Sequence, residues 1–424
     1  MNRIREENYW WKTGRRPAFP DPPPGQTEIL VVGSGYTGIT AAIRLRQAGR
    51  EVAVIDAKPL GTGASARNGG MVLSGLSADL ETLGKRYGLD TACSLHRESV
   101  AAVDAVERLV REGDIDCAFR RTGFLYAAFK ARHAEALQRT RDFMARHMGH
   151  PPEWIPPERI REEIDSPVYH GALLETRDAG LHPGCYIAGL IRMALRLGVG
   201  LHENVTALTI TRKPGGLTVA TDHGQIKADK VVAATNGYTG ALTPWIRRRI
   251  VPVRSLMIAT APLPEAHIAA LIPRGRMIAD TKTFLYYFRP SPDGRRILFG
   301  GRPRFTGRSL AENARYMRGN LASVLPRLHA TAVDCAWWGK LGFTVDHMPH
   351  LGHRDGIYYA AGYCGHGVAL AIYLGEKLAG MILEAATKAT AFSRLKFRPI
   401  PLYDGRPWFL PLVYRWFSIK DRLF

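Results

Sequence analysis

The sequence predicts an α/β protein in which a Rossmann-like dinucleotide-binding domain is interleaved with an antiparallel-sheet domain. Three observations predict it. Residues 28–56 read as a strand, a glycine turn, a helix and a second strand ending in an acid. Residues 250–321 read instead as antiparallel strands with turn signals between them. Late in the chain a second glycine turn, Gly365-His366-Gly367, opens another helix. The dinucleotide-binding domain is expected over 1–90, 150–250 and 331–390, the sheet domain over 91–149 and 251–330, and a tail over 391–424.

The strand 28–33 runs into Gly33-Ser34-Gly35-Tyr36-Thr37-Gly38. Gly33 permits the tight turn, Gly35 lets the backbone approach a pyrophosphate at the positive end of the helix, and Gly38 lets helix and strand pack closely. The helix 39–48 stops at Gly49, and the strand 51–56 closes with Asp56, 18 residues after Gly38. An acid there accepts hydrogen bonds from adenosine ribose hydroxyls and disfavours a 2′-phosphate, so NADP is not expected. The small-residue loop 61–70 follows almost directly and favours FAD over NAD, because it can lie along an extended dinucleotide toward its isoalloxazine end. Ser65, Arg67 and Asn68 are expected to reach phosphate or flavin groups, and Gly69 and Gly70 to allow close contact with the ring. Ala57 and Met71, flanking these segments, complete the contacts expected there.

Helical spacing marks 91–112 and 131–148, joined by a strand-like piece, 123–128. Pro151, Pro152, Pro156 and Pro157 mark a loop before an apparent helix start at Glu158. A helix over 185–197, a period-2 strand over 217–221 and a returning strand over 228–237 follow. The strands 251–260, 283–289 and 296–301, with a turn at Pro292-Asp293-Gly294, form the substrate sheet, and 334–344 returns toward the cofactor. Arg254, Arg289 and Arg302 on that sheet each offer a bidentate fork for a carboxylate. Arg289 is the first choice, because it shares a strand with Tyr286 and Tyr287; alternation lets only one of those tyrosines face the site. Tyr286, Tyr287, Trp337 and Trp338 read equally as an aromatic cage for a cationic amine or as core. In Gly365-His366-Gly367-Val368, free N–H groups at a helix start suit the negative edge of a reduced flavin. His366 is a substrate-side donor or simply part of the turn.

Of 424 residues, 46% are apolar and 23% charged, which excludes wholesale disorder. Five scattered cysteines without a CxxC pair exclude a disulfide scaffold and a zinc finger, and no metal site is expected. Residues 1–12 are polar, so no signal peptide is expected, and a cytoplasmic location fits best. The net charge of +20 favours anionic partners, but the bases are spread along the chain without a tract, so nucleic acid is not expected. The tail 408–424 mixes aromatics with bases, which suits docking on its own protein or lying on an anionic membrane surface.

Taken together these features resemble the D-amino-acid oxidase superfamily of FAD-dependent oxidoreductases. The branch is the one that includes glycine oxidase, sarcosine oxidase and, most alike, the γ-glutamylputrescine oxidoreductase type. The resemblance rests on Tyr9-Trp10 with the proline-rich lead 17–24, Val31-Val32-Gly33-Ser34-Gly35-Tyr36-Thr37-Gly38, the run 63–70, and Gly362-Tyr363-Cys364-Gly365-His366-Gly367-Val368. It implies oxidation of the C–N bond of a small amine or secondary amino acid to an imine and then a carbonyl, with dioxygen as acceptor; the sheet arginines and the positive charge point to an anionic substrate. The alternatives are a membrane-associated dehydrogenase passing electrons to a quinone, and an RNA-modifying flavoprotein. The resemblance also implies a backbone contact from Val205 to adenine and a substrate sheet that roofs the flavin. Two departures matter. Gly339 stands where sarcosine oxidases attach FAD through a cysteine, which implies non-covalent FAD. Leu298 stands near the oxygen-activating lysine of that branch, leaving Lys340 as a substitute.

Overall fold

A computed structural model describes residues 4–14, 19, 21–303, 309–384 and 390–423. Part of the proline-rich lead (15–18 and 20), segments 304–308 and 385–389 of the two expected domains, and the last residue of the tail lie outside the described residues.

Strand β1 (Gln26–Val32) is apolar on both faces from Ile29 onward, and Ile29, Leu30 and Val31 are fully buried. Such a run suits the centre of a parallel sheet covered on both sides. Helix α1 (Tyr36–Gln47) leads to β2 (Val52–Asp56), which pairs in parallel with β1. On the other side of β1, Gly224–Ala233 is also parallel, and Ile357–Ala361 lies beyond it. Gly200–Glu203 flanks β2, and His350–Arg354 closes the opposite edge antiparallel. The strand order reverses at β1. A crevice therefore opens beyond the carboxyl ends of the strands, where ligands bind in open α/β sheets. The turns that follow Val32, Ala233 and Ala361 all sit at that end.

The second sheet contains β3 (Val251–Thr260), β4 (Tyr287–Pro290), β5 (Ile297–Gly301) and β6 (Val333–Phe343), in the order β6-β3-β5-β4. It continues through Met277–Asp280, Phe124–Ala127, Ala172–Glu175 and Glu153–Ile155. Strand alternation separates its faces. Leu256, Ile258, Phe288, Phe299 and Ala336 form one core with the helix Leu310–Val324, whose start carries a capping box of Ser309 and Glu312. Met257, Ala259, Leu298, Cys335 and Trp337 form another with Tyr9 and Trp10. That inner face meets the dinucleotide-binding half.

The structure departs from expectation in three places. Glu158 lies in a 3₁₀ segment, Pro157–Glu162, rather than an α-helix. The strand expected over 283–289 begins only at Tyr287, because Asp280 accepts the Tyr286 N–H at 3.1 Å and loops the chain first. Finally, β6 and the strands Glu153–Ile155 and Ala172–Glu175 belong to the second sheet, although 331–390 and 150–250 were assigned to the dinucleotide-binding domain.

Candidate active site

The first glycine turn is built by close contact. Gly33 holds φ +107°, and a Cβ there would lie 2.8 Å from the Ala234 carbonyl. A Cβ on Gly38 would run into the Gly33 carbonyl, so helix and strand meet as closely as the motif requires. At Gly35 a Cβ would meet only Ser65 Oγ, which leaves backbone open to a ligand. Gly35 caps α1 without a side-chain bond, and the first turn of α1 holds no acid. Asp56 accepts from the Ser34 N–H at 2.9 Å and the Ser34 hydroxyl at 2.6 Å through one oxygen, and from the Lys58 N–H at 3.0 Å through the other. It thus fixes the turn to the end of β2 and keeps acceptor capacity for ribose hydroxyls. The Val205 N–H donates to the Asp56 carbonyl at 2.9 Å, which places Val205 beside the end of β2.

The loop 61–70 is ordered in part by its own polar side chains. Ser65 Oγ accepts the Tyr36 N–H at 2.9 Å. Asn68 donates to the Ala64 and Ser65 carbonyls and accepts the Gly70 N–H at 2.8 Å. Arg67 donates to the carbonyls of Thr62 at 2.9 Å and Trp338 at 3.1 Å, with its guanidinium 4.4 Å from the Trp11 ring centre. These bonds give all three side chains a part in ordering the loop. Three further residues hold it from outside: Asn8 donates to the Ala66 carbonyl at 2.6 Å, Trp337 Nε1 to Arg67 at 3.0 Å and Trp10 Nε1 to Asn68 at 2.8 Å. Asn8 went unread in the sequence. Trp10 and Trp337 were noticed there for other reasons.

Over this loop lies the inner face of the second sheet. A Cβ on Gly69 would lie 3.1 Å from the Tyr287 ring, whose hydroxyl is 3.0 Å from Ser255 Oγ. Tyr286 points to the opposite core, 5.2 Å from Phe299, as alternation requires. Trp337 and Trp338 likewise split between the two faces, so they do not form one cage. Arg289 is buried and donates to the carbonyls of Gly70 at 2.7 Å, Leu181 at 3.1 Å and Pro290 at 3.1 Å. Burial pushes its guanidinium down to about 10. All three of these acceptors are backbone, so Arg289 ties the sheet to the glycine loop rather than presenting a fork to substrate. Arg254 is exposed. Arg302 continues the inner-face alternation of Leu298 and Gly300. Its guanidinium lies 5.1 Å from the Phe343 ring centre, and burial pushes its pKa down. Among the described residues no carboxylate is paired with it. Lys340 pairs in register with Arg254, is exposed, and lies one residue out of phase with Gly339 and Leu341. It therefore leaves on the outer side, its ammonium 5.2 Å from the Tyr238 ring centre, and does not substitute for an inner-face lysine.

The second turn abuts the end of β6, where the Gly342 carbonyl accepts the Cys364 N–H at 3.0 Å. Asn236 accepts the Gly362 N–H at 2.9 Å. Gly365 holds φ +97° with open space where a side chain would stand. His366 precedes helix α2 (Gly367–Ile382), whose start has neither a side-chain cap nor an acid. Burial lowers the His366 pKa, and its Nδ1 is buried without a hydrogen-bond partner. Thr37 and Tyr363 join the two turns through hydroxyls 2.6 Å apart. A Cβ on Gly375 would lie 2.8 Å from the Thr37 carbonyl, so α1 and α2 also cross closely.

These residues fit FAD. Two uncapped helix starts free of acids, open backbone at Gly35 and Gly365, Asp56 at the end of β2 and an unpartnered His366 nitrogen lie along one crevice. Cys335 and Cys364 are buried thiols pushed up to about 11, so neither is a thiolate near neutral pH.

Comparison with known proteins agrees with this geometry. The sequence profile of the family described as DAO, FAD dependent oxidoreductase, matches residues 28–381. The γ-glutamylputrescine oxidoreductase of Escherichia coli K12 is 31% identical over 401 residues, covering 93% of each chain. A glycine oxidase of Bacillus licheniformis is 25% identical over 384 residues, covering 85% of this chain and 94% of its own. The crystal structure of glycine oxidase from Geobacillus kaustophilus superposes with a TM-score of 0.71 at 22% identity, covering 90% of this chain and 99% of that one.

Proposed function

This chain belongs to the DAO family of FAD dependent oxidoreductases, and from that membership we propose that it oxidises the C–N bond of a small, carboxylate-bearing amine. The products are an imine, which water hydrolyses to a carbonyl compound and an amine, and hydrogen peroxide from dioxygen. The observation that carries the reading is Arg302. Among the described residues it is a half-buried inner-face arginine whose Nη1 donates only a long, 3.4 Å bond to the Arg254 carbonyl, without an acidic partner, on the sheet that covers Gly69. A guanidinium in that position accepts a carboxylate through two parallel hydrogen bonds. The relatives support the substrate class: one is named for a γ-glutamyl amine and another for glycine, and both substrates carry a carboxylate. The glycine oxidase also supports dioxygen as acceptor.

Bound FAD supplies the hydride-accepting centre. The protein supplies position, charge and exclusion of water. The Gly33–Gly38 turn and the start of α1 would hold the pyrophosphate, and Asp56 the adenosine ribose. With FAD bound, the start of α2, with its free N–H groups, would stabilise negative charge on the reduced ring. His366 stays neutral because burial holds its pKa down. Tyr287 closes the wall above Gly69 and keeps water from the reacting carbon. We assign FAD as non-covalent, which the two protonated, buried thiols support.

The test is anaerobic flavin bleaching against a panel of amines and amino acids, followed by admission of air. Rapid bleaching by carboxylate-bearing amines and rapid return of colour in air are expected. Bleaching only by amines without a carboxylate counters the substrate assignment, and slow return in air with fast return on adding a quinone counters the acceptor.

A further inference from the structure

The tail ends in helix α3 (Leu410–Leu423), and the most exposed large apolar side chains of the described residues gather there. Leu402 is 90% exposed, Trp408 61%, Leu412 66% and Trp416 65%. No other large apolar side chain among the described residues exceeds 55%. Positions 408, 412 and 416 recur every four residues, so they share one side of the helix and of the turn before it. The opposite side is already occupied. Phe409 packs 5.7 Å from Tyr403, and Tyr414 and Phe417 lie 5.1 and 6.1 Å from Phe284, in the turn that leads into β4. The docked side anchors the helix and aims the Trp-Leu-Trp side outward.

A helix apolar on both sides requires a second cover. We infer that an anionic lipid bilayer surface supplies it. Two tryptophans on one ridge suit the boundary between headgroups and acyl chains, where an indole buries its ring while its N–H keeps a polar partner, as Trp408 Nε1 does on the Leu402 carbonyl at 3.2 Å. Charge selects the lipid. Over 394–424 the chain carries seven Lys and Arg against two Asp, and Arg415 is exposed on the outward side. The whole molecule, at +20, adds long-range attraction to the same surface. With 14 residues α3 lies along the bilayer, and no helix among the described residues is long and apolar enough to cross a membrane.

The test is flotation of the FAD-loaded enzyme with vesicles of phosphatidylcholine alone or with about 30% phosphatidylglycerol. The expected result is co-flotation with the anionic vesicles, weakened by about 0.5 M salt. The double variant Leu412→Ser, Trp416→Ser should partition more than about tenfold less, with unchanged FAD content. Arg415→Glu, which alters only the outward side, gives the same direction of change should the double variant fold poorly. Wild-type enzyme that ignores both vesicle types overturns the inference, as does a double variant that floats equally well. A dimer in sedimentation that the double variant dissolves, without flotation of the wild type, identifies a second copy of the chain as the cover and equally overturns it.

Discussion

Replacing Arg289 by alanine separates a structural tie from a substrate clamp. The side chain makes three hydrogen bonds to backbone carbonyls. The Gly70 carbonyl keeps the Leu181 N–H at 2.9 Å when the guanidinium goes, so the heavier loss falls on Leu181 and Pro290. Hydrogen bonds with a charged donor contribute about 1.5–3 kcal/mol each, and relief of a buried charge offsets part of that. A net loss of about 2–4 kcal/mol follows. For 424 residues the entropy of unfolding is about 0.9 kcal/mol/K, so Tm should fall by about 2–5 °C. Thermal unfolding followed by flavin release measures this. Flavin-reduction kinetics with two matched substrates, one a carboxylate and one its neutral amide, measure the other half. Arg289→Ala should slow both substrates alike, through a loosened loop. Arg302→Ala should leave Tm nearly unchanged and cost the carboxylate substrate about 100-fold or more in kcat/KM. Arg302→Lys should also be poor, since lysine lacks the fork. Unchanged Tm in Arg289→Ala, with loss confined to the carboxylate substrate, would refute the tie and return the clamp to Arg289.

Asp56→Ala should weaken FAD binding by about 1.5–3 kcal/mol per lost hydrogen bond, read as free flavin fluorescence on dilution; unchanged occupancy removes Asp56 from the ribose site. Acid precipitation should leave yellow flavin in the supernatant, whereas colour held in the pellet points to attachment at Cys335 or Cys364. Burial holds the His182 imidazole down to about 4 from 6.5, so the unfolded chain takes up that proton first and stability falls as pH drops from about 6.5 toward 4. Urea midpoints at pH 7 and pH 5 should show the fall, and a His182→Asn variant that retains it shows that another group is responsible.

What was legible in the sequence was what neighbours in sequence decide. The turn from Gly33 to Gly38 is local: its backbone geometry is set within a strand, a turn and a helix, and the glycines follow. Alternation correctly placed one of Tyr286 and Tyr287 inside. The same rule, applied to Gly339-Lys340-Leu341, would have turned Lys340 outward, so that signal was present and unused. The role of Arg289 was not legible. Its acceptor at Gly70 is 219 residues away, and a strand arginine aimed at a backbone carbonyl looks the same in sequence as one aimed at a substrate. The bond from Trp337 to Arg67 spans 270 residues and is hidden for the same reason. The delayed start of β4 came from an Asp280 carboxylate capturing the Tyr286 amide, which composition and periodicity do not encode.

The long-range bonds nevertheless share one logic. The loop 61–70 is made of glycine, alanine, serine and threonine apart from Arg67 and Asn68, so it has little side-chain surface with which to order itself. Fixing such a backbone costs about 1–2 kcal/mol per residue. The donors that meet this cost come from three distant segments. Asn8 and Trp10 at the N-terminus, Trp337 on β6 and Arg289 on β4 take the carbonyls of Ala66, Asn68, Arg67 and Gly70 in turn. With those carbonyls engaged from outside, the loop is ordered when the protein folds rather than when FAD arrives. Cofactor binding then need not supply that ordering free energy, because a small-residue segment is already rigid before any ligand arrives. Two of these bonds, from Trp337 and Arg289, fasten the second sheet to the loop, so a change that frees the loop also shifts the wall that carries Tyr287 and Arg302. This coupling is why Arg289→Ala should slow every substrate alike, through a loosened loop and a shifted wall.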